Sequence, residues 1–351
     1  MPESAVMPRV VAVVAAALVV AAACGGGSTP TTALGDIGHG LRGPSGLSAS
    51  TYATGLTHIS AIAFDGDARL WAATADYSDA GGDAVYVVTA AGSTPKNVIA
   101  GLHTPLGLLW IDQTLYVASK EKVETYTGFD GNTFAGHATV VTLPANVGEV
   151  NGLVLAPDGR IQLGISAPCD HCAPTLEQSA AVISFAADGT DQRVDASGIR
   201  APIGLAYYPG TDDLFVTMNQ RDDLGNTTPG DWLSIVRAGQ SWGFPDCYGQ
   251  GGSACAGVPA PVAVLDKHAA VDGVAIVTGQ LGSSVGNAAI VTEWATGKVL
   301  KVDLTKKGST YAGTVTTFLT GMQNPVPVVL AGGALYTGDW TTGTIYRITP
   351  R

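Results

Sequence analysis

Three histidines, one arginine and a run of acids are the residues of this chain best suited to chemistry. His58, His103 and His268 carry imidazoles, and a neutral imidazole can take a proton from a hydroxyl group at neutral pH. Arg200 offers a planar fork of donors that meets a carboxylate in two parallel bonds. Between Asn219 and Gln250 lie Arg221, Asp222, Asp223, Asp231, Trp232 and Trp242. Acids with Asn carbonyls suit Ca2+, which takes roughly six to eight oxygens. The same stretch also reads as an acidic, solvated loop, and a long loop inside a compact domain is often functional.

A repeated phrase positions these residues. A short apolar strand, usually carrying Gly-Leu, is followed by an Asp or Gly turn and a second strand. It occurs at Ser60–Phe64, Leu106–Trp110, Asn151–Leu155, Ile203–Tyr207, Asp272–Ile276 and Val326–Leu330. Six copies at intervals of tens of residues define a repeat architecture, and four short strands per unit make a propeller blade. One such sheet cannot bury both faces, whereas six around an axis do so and leave little free edge. The expected fold is therefore an all-β, six-bladed β-propeller. A β-sandwich or solenoid would not repeat six times in this way. Ring closure requires a strand from the other end of the chain, and Ser50–Leu56 is expected to complete the last blade.

In a propeller the first strand of each blade lines the channel, so residues just before it gather at one rim. Counting back from each Gly-Leu pair gives His103, Gly148, Arg200, Ala269 and Gln323, with His58 and His268 close to the same phase. Glu149 and Asn151 follow Gly148. These residues are expected at one channel mouth, as a site or as strand caps that bind water.

The N-terminus reads as an address. Residues 10–23 are an apolar run preceded by Arg9, too short to span a bilayer and right for a signal peptide. The run ends in Ala21-Ala22-Ala23-Cys24, which resembles a bacterial lipobox. Residues 1–23 are then a signal peptide, Cys24 is acylated, residues 24–47 form a flexible tether, and 48–351 form the propeller. Plain secretion after an Ala-x-Ala cut is the alternative. The expected location is a bacterial cell envelope, outside the cytoplasm, with the lipid on Cys24 tying the protein to the membrane.

Four body cysteines fit an oxidising compartment. Proximity suggests Cys169–Cys172 and Cys247–Cys255 disulfides. A four-thiolate zinc site is the rival, because Cys169-x-x-Cys172 has ligand spacing, and a redox pair is the third option. The formal charge of −11 argues against a nucleic-acid partner.

The stretch Ala196-Ser197-Gly198-Ile199-Arg200-Ala201-Pro202-Ile203-Gly204-Leu205, followed by Asn219-Gln220-Arg221-Asp222-Asp223-Leu224-Gly225, Pro229-Gly230-Asp231 and Trp242-Gly243-Phe244-Pro245, resembles the soluble quinoprotein glucose/sorbosone dehydrogenase family. Gly55-Leu56-Thr57-His58 and Ala156-Pro157-Asp158-Gly159 look like earlier parts of the same pattern. The resemblance spans most of residues 50–350. It implies a six-bladed propeller that binds PQQ and Ca2+ at the channel mouth and oxidises a sugar. By that resemblance Arg200, Asn219 and Arg221 would bind the cofactor, and Asp222, Asp223 and Asp231 would serve the metal. The sequence departs from the pattern at three places. Gly148 stands where the family's catalytic His belongs, Ala201 replaces the Asn after Arg200, and Trp232 replaces the acid after Asp231. A base would have to be His103 or His58, from another blade.

Three functions follow from these readings. The first is a PQQ-dependent sugar dehydrogenase of the cell envelope. The second is a non-catalytic propeller that binds a sugar, metal or protein at the same mouth. The third is a hydrolytic, lactonase-like propeller using Ca2+ on a channel carboxylate such as Glu149 or Asp272.

Overall fold

The computed structural model describes residues 33–248 and 253–351. Cys24 and the expected signal peptide lie outside the described residues. Every long element is a β-strand, and the described helical turns are two short 3-10 turns, Gly225–Thr227 and Ser253–Cys255.

Six antiparallel sheets form the ring. Their innermost strands are Ile59–Phe64, Gly107–Ile111, Val150–Leu155, Pro202–Tyr207, Val271–Thr278 and Pro325–Ala331, so all six expected repeats open a blade. The chain is an all-β, six-bladed β-propeller. The sixth blade takes its outer strand from Leu47–Ala53, which pairs antiparallel with Thr344–Pro350. The closing strand thus sits three residues earlier than the expected Ser50–Leu56. Leu56 instead packs in the seam between the last blade and the first, with Tyr52, Ala53, Ile59 and Tyr336.

The glycines of the repeat have a steric cause. A Cβ on Gly107 would lie 2.4 Å from the carbonyl oxygen of Asn151 in the next blade, and one on Gly204 would lie 2.4 Å from that of Asp272. Gly152 and Gly273 meet Ile203 and Val326 in the same way, at 2.7 and 2.9 Å. Inner strands of successive blades therefore approach backbone to backbone around the axis, and only glycine leaves room. Outside this inner ring the blades touch through side chains. Six hydrophobic clusters fill the six seams, one between each pair of neighbours.

Two expectations need correction. The tether does not reach residue 47: Gly35–Gly38 and Leu41–Gly43 form a hairpin, and Ile37 and Leu41 are buried against Phe318 and Leu319 of the fifth blade. The apolar Ile37 and Leu41, spaced among glycines, are what the polar composition of this stretch concealed. Nor is Asn219–Gln250 one long loop. Trp232–Val236 is the third strand of the fourth blade, and Gln240–Ser241 adds a parallel strand to the edge of the third. Trp232 and Trp242 are buried there with ring centroids 4.6 Å apart, so neither serves the mouth.

The body cysteines form two disulfides, Cys169–Cys172 and Cys247–Cys255, with Cα atoms 6.0 and 4.8 Å apart. The zinc alternative falls with this pairing, and Cys169–Cys172 opens no helix, the setting expected of a redox pair.

Candidate functional site

In each blade the residue after the second strand donates its backbone N–H to a carbonyl just before or at the start of the first. The pairs are Ala75–His58, Lys120–His103, Ser166–Glu149, Asn219–Ala201, Trp294–Ala270 and Trp340–Asn324, at 2.8, 3.0, 2.9, 3.2, 3.0 and 2.9 Å. Two residues per blade are thereby fixed at one rim. The first set was legible from the repeat. The second set, which supplies Asn219, Trp294 and Trp340, could have been found by counting forward from the end of each second strand.

A cavity of about 450 Å3 opens on the axis at this rim. Its polar side chains are Ser60, Asp76, Glu149, Asn151, Asn219 and Asp272, and its aromatic ones are Tyr77, Trp294 and Trp340. No Lys or Arg lines it. A second cavity, of about 600 Å3, adjoins it through Tyr77, Glu149 and Asn219 and contains Arg200, Lys120, Asp79 and Asp170. Tyr77 is half exposed, with φ of +60°, and lines both cavities. Trp294 and Trp340 stand edge to face, with ring centroids 6.0 Å apart.

Electrostatics in the axial cavity are acidic. Glu149 and Asp272 both keep exposed surface at this rim. Desolvation raises the pKa of Glu149, with Arg200 opposing. Asp272 is raised well above the usual carboxylate range by desolvation and then by the charges of Glu149 and Asp231. Neither carboxylate accepts a hydrogen bond from any described residue.

Asn151 is wholly buried, and its amide nitrogen donates to the Pro202 carbonyl and the Ser166 hydroxyl oxygen, both at 2.9 Å. The Pro202 oxygen can only accept, so the nitrogen must face it and the Asn151 Oδ1 is left without a partner. The Asn219 Oδ1 is also buried and unpartnered.

The residues singled out in the sequence gather at this end of the ring, but they are spent on one another. Arg200 donates to the Asp170 carboxylate at 2.8 Å and to the Asp170 and Asn219 carbonyls at 3.1 and 3.3 Å. Arg221 is buried, paired with Asp223, in contact with His171 and stacked on Tyr248. Asp222 pairs with His268. Asp231 is buried and accepts the backbone N–H groups of Gln220 and Val271, at 2.8 and 3.3 Å. Burial pushes Asp231 up to about 6. The three acids expected to share a metal therefore have three separate sets of partners. Among the described residues no three His, Cys, Asp or Glu side chains are grouped to hold an ion.

The two expected bases do not line the axial cavity. His103 contacts the Asp79 carbonyl at 2.9 Å, and His58 packs on Trp340 with centroids 4.2 Å apart. Gly148 cannot be replaced in role by any side chain. Its φ is +114°, and a Cβ there would sit 2.0 Å from the Ser166 carbonyl oxygen.

The fold has counterparts among solved structures. A Trichoderma reesei enzyme of carbohydrate-active family AA12 superposes with a TM-score of 0.75 at 16% identity, covering 89% of this chain and 98% of its own. The PQQ domain of Coprinopsis cinerea pyranose dehydrogenase, in its holo form, gives 0.71 at 16%, covering 88% and 97%. The PQQ-bound aldose sugar dehydrogenase of Streptomyces coelicolor gives 0.66 at 19%, covering 88% and 100%. The fold is that of the PQQ-type sugar dehydrogenases. No family model and no curated protein matches the sequence.

PQQ carries three carboxylates, so a site for it needs cations. The axial cavity offers Asp76, Glu149 and Asp272 and no cation, and the nearest cations, Arg200 and Lys120, are paired with Asp170 and Asp79. The residues present do not fit the quinone. A shared scaffold does not fix the chemistry of the site it carries.

Proposed function

We propose that this protein is a cell-envelope binding propeller that captures a sugar or related polyol at its channel mouth without quinone redox chemistry. The observation that carries this reading is the composition of the axial cavity, in which Tyr77, Trp294 and Trp340 share the lining with carboxylate and amide side chains and no Lys or Arg. An apolar wall with a few placed polar groups is the usual build of a small-molecule site. Aromatic faces suit the C–H side of a sugar ring, and the oxygens of Glu149, Asp272, Asn151 and Asn219 suit its hydroxyls. The solved structures of this fold include proteins named for glucose, pyranose and aldose sugars, which supports a sugar as the ligand class. Acylation of Cys24 would hold the propeller at the membrane surface, and Cys24→Ser should then release it into the soluble fraction.

The test is intrinsic fluorescence of the full chain carrying Cys24→Ser, titrated with a panel of aldoses and polyols. Saturable quenching by at least one sugar, lost in Trp294→Ala and Trp340→Ala variants that melt like the parent, is the expected result. Dye reduction with a sugar in the presence of PQQ would overturn the reading in favour of a dehydrogenase.

A further inference from the structure

Arg200 borders two cavities. One is the cavity of about 600 Å3 at the mouth, and the other is a small cavity of about 20 Å3 in the seam between the third and fourth blades. Trp242 lines the small cavity from the edge of the third blade, and Met218, Gln220 and Trp232 line it from the fourth. Gln220 is 3% exposed and Trp242 5%. The Gln220 amide oxygen accepts the backbone N–H of Arg221 at 3.1 Å, which fixes the amide's orientation, and its Nε2 has no partner. The indole Nε1 of Trp242 has none either. Buried polar groups are nearly always paired, so two orphan N–H donors around one cavity point to an occupant that accepts hydrogen bonds.

We infer that this cavity is a halide site, with chloride as the expected ion, held between the Trp242 indole N–H and the Gln220 amide. The chemistry of the lining selects an anion over water. Arg200 is the one charged residue among the described residues that line the cavity, and no carboxylate or hydroxyl joins it. Its bonds to Asp170 and Asn219 use three of its five N–H groups. A water could accept from both orphan donors, but its own hydrogens would find no side-chain oxygen except the Gln220 Oε1, which Arg221 already engages. A halide only accepts. Size narrows the class further. A cavity needs roughly 10–15 Å3 to hold one water, so about 20 Å3 takes a single small ion and leaves out sulfate, phosphate and carboxylates. The bound ion would tie the edge of the third blade to the segment that carries Arg221. The site does not depend on what the mouth binds.

The full chain carrying Cys24→Ser, freed of halide by dialysis into sodium gluconate, is melted in increasing sodium chloride or bromide at constant ionic strength. The melting temperature should rise saturably, by about 2 °C at ten times the half-saturating concentration. Saturation separates this rise from general salt effects. Trp242→Phe keeps an aromatic ring against Trp232 but removes the donor, and Gln220→Glu turns the other donor into a repelling charge. Each should raise the half-saturating chloride concentration at least tenfold. Crystals of the parent chain grown in bromide should show one anomalous peak within hydrogen-bond reach of Gln220 Nε2 and Trp242 Nε1, a result that needs no variant to fold. Melting indifferent to halide at fixed ionic strength, or a buried water in the cavity with no anomalous signal, would overturn the site.

Discussion

Arg200 and Asp170 are joined by an ion pair at 2.8 Å, and Asp170 sits inside the small Cys169–Cys172 disulfide loop. The same carboxylate accepts the backbone N–H groups of Asp222 and Asp223, at 2.9 Å each. One acid from the third blade therefore holds the arginine that the sequence marks for a cofactor and also pins the loop that follows the fourth blade's second strand. Asp170→Ala should cost about 1–3 kcal/mol, the range for losing a charged hydrogen-bond acceptor. Urea denaturation of parent and variant measures it, and an unchanged midpoint would mean that the loop is held by other contacts.

Gly148 stands where the resemblance to the quinoprotein dehydrogenases would put a catalytic His, and its backbone leaves no room for a side chain. Gly148→Ala places a Cβ against the Ser166 carbonyl and forces a positive φ on a non-glycine residue. A loss of several kcal/mol is expected, in the class of backbone strain and overpacking. Gly204→Ala, which meets the Asp272 carbonyl at 2.4 Å, should be comparably severe. Gly159→Ala is a control with a positive φ but nothing within 4 Å, and it should cost clearly less. Thermal melts of the three variants check the order.

Stability should fall as pH rises from the acid side. Asp231 has a folded pKa of about 6, above its unfolded value. Between those two values the folded protein holds more protons than the unfolded chain, so the slope of unfolding free energy with pH is negative. The stabilisation from this group is complete below its unfolded pKa and is lost as pH passes through about 6, with a size of about 3 kcal/mol. Glu149 and Asp272 act in the same direction. Melts in EDTA from pH 4 to 7 should show the decline, and Asp231→Asn should flatten it. A melting temperature that rises over this window would contradict the assignment.

The N-terminal hairpin is a structural part of the body. Leu41 has no exposed surface and packs with Ile37, Phe318 and Leu319. Leu41→Ala should cost about 2–5 kcal/mol, as for other fully buried leucines. A change within a few tenths of a kcal/mol would return residues 35–43 to the tether.

The ring was legible because its cause is local. Gly107, Gly152, Gly204 and Gly273 recur where inner strands must touch, so the repeat that reveals the blades is the packing rule written into the sequence. The first rim set followed by counting, which placed Arg200 and Glu149 correctly at one mouth. What counting could not show is how side chains pair across blades. Asp170 has no motif that announces it as the partner of Arg200, and Asp222, Asp223 and Asp231 look like one acidic cluster until their separate partners are seen. Tyr77, Trp294 and Trp340 were missed because aromatic residues after a strand read as core. Only the backbone pairing of each blade shows that Trp294 and Trp340 share the rim.

The central proposal is that the acidic, aromatic mouth takes a sugar and does not take PQQ. An absorbance titration of the full chain carrying Cys24→Ser with PQQ, in the presence of Ca2+ and at micromolar protein, tests it directly. The account predicts no saturable spectral change. Stoichiometric PQQ binding that is abolished by Arg200→Ala would contradict it.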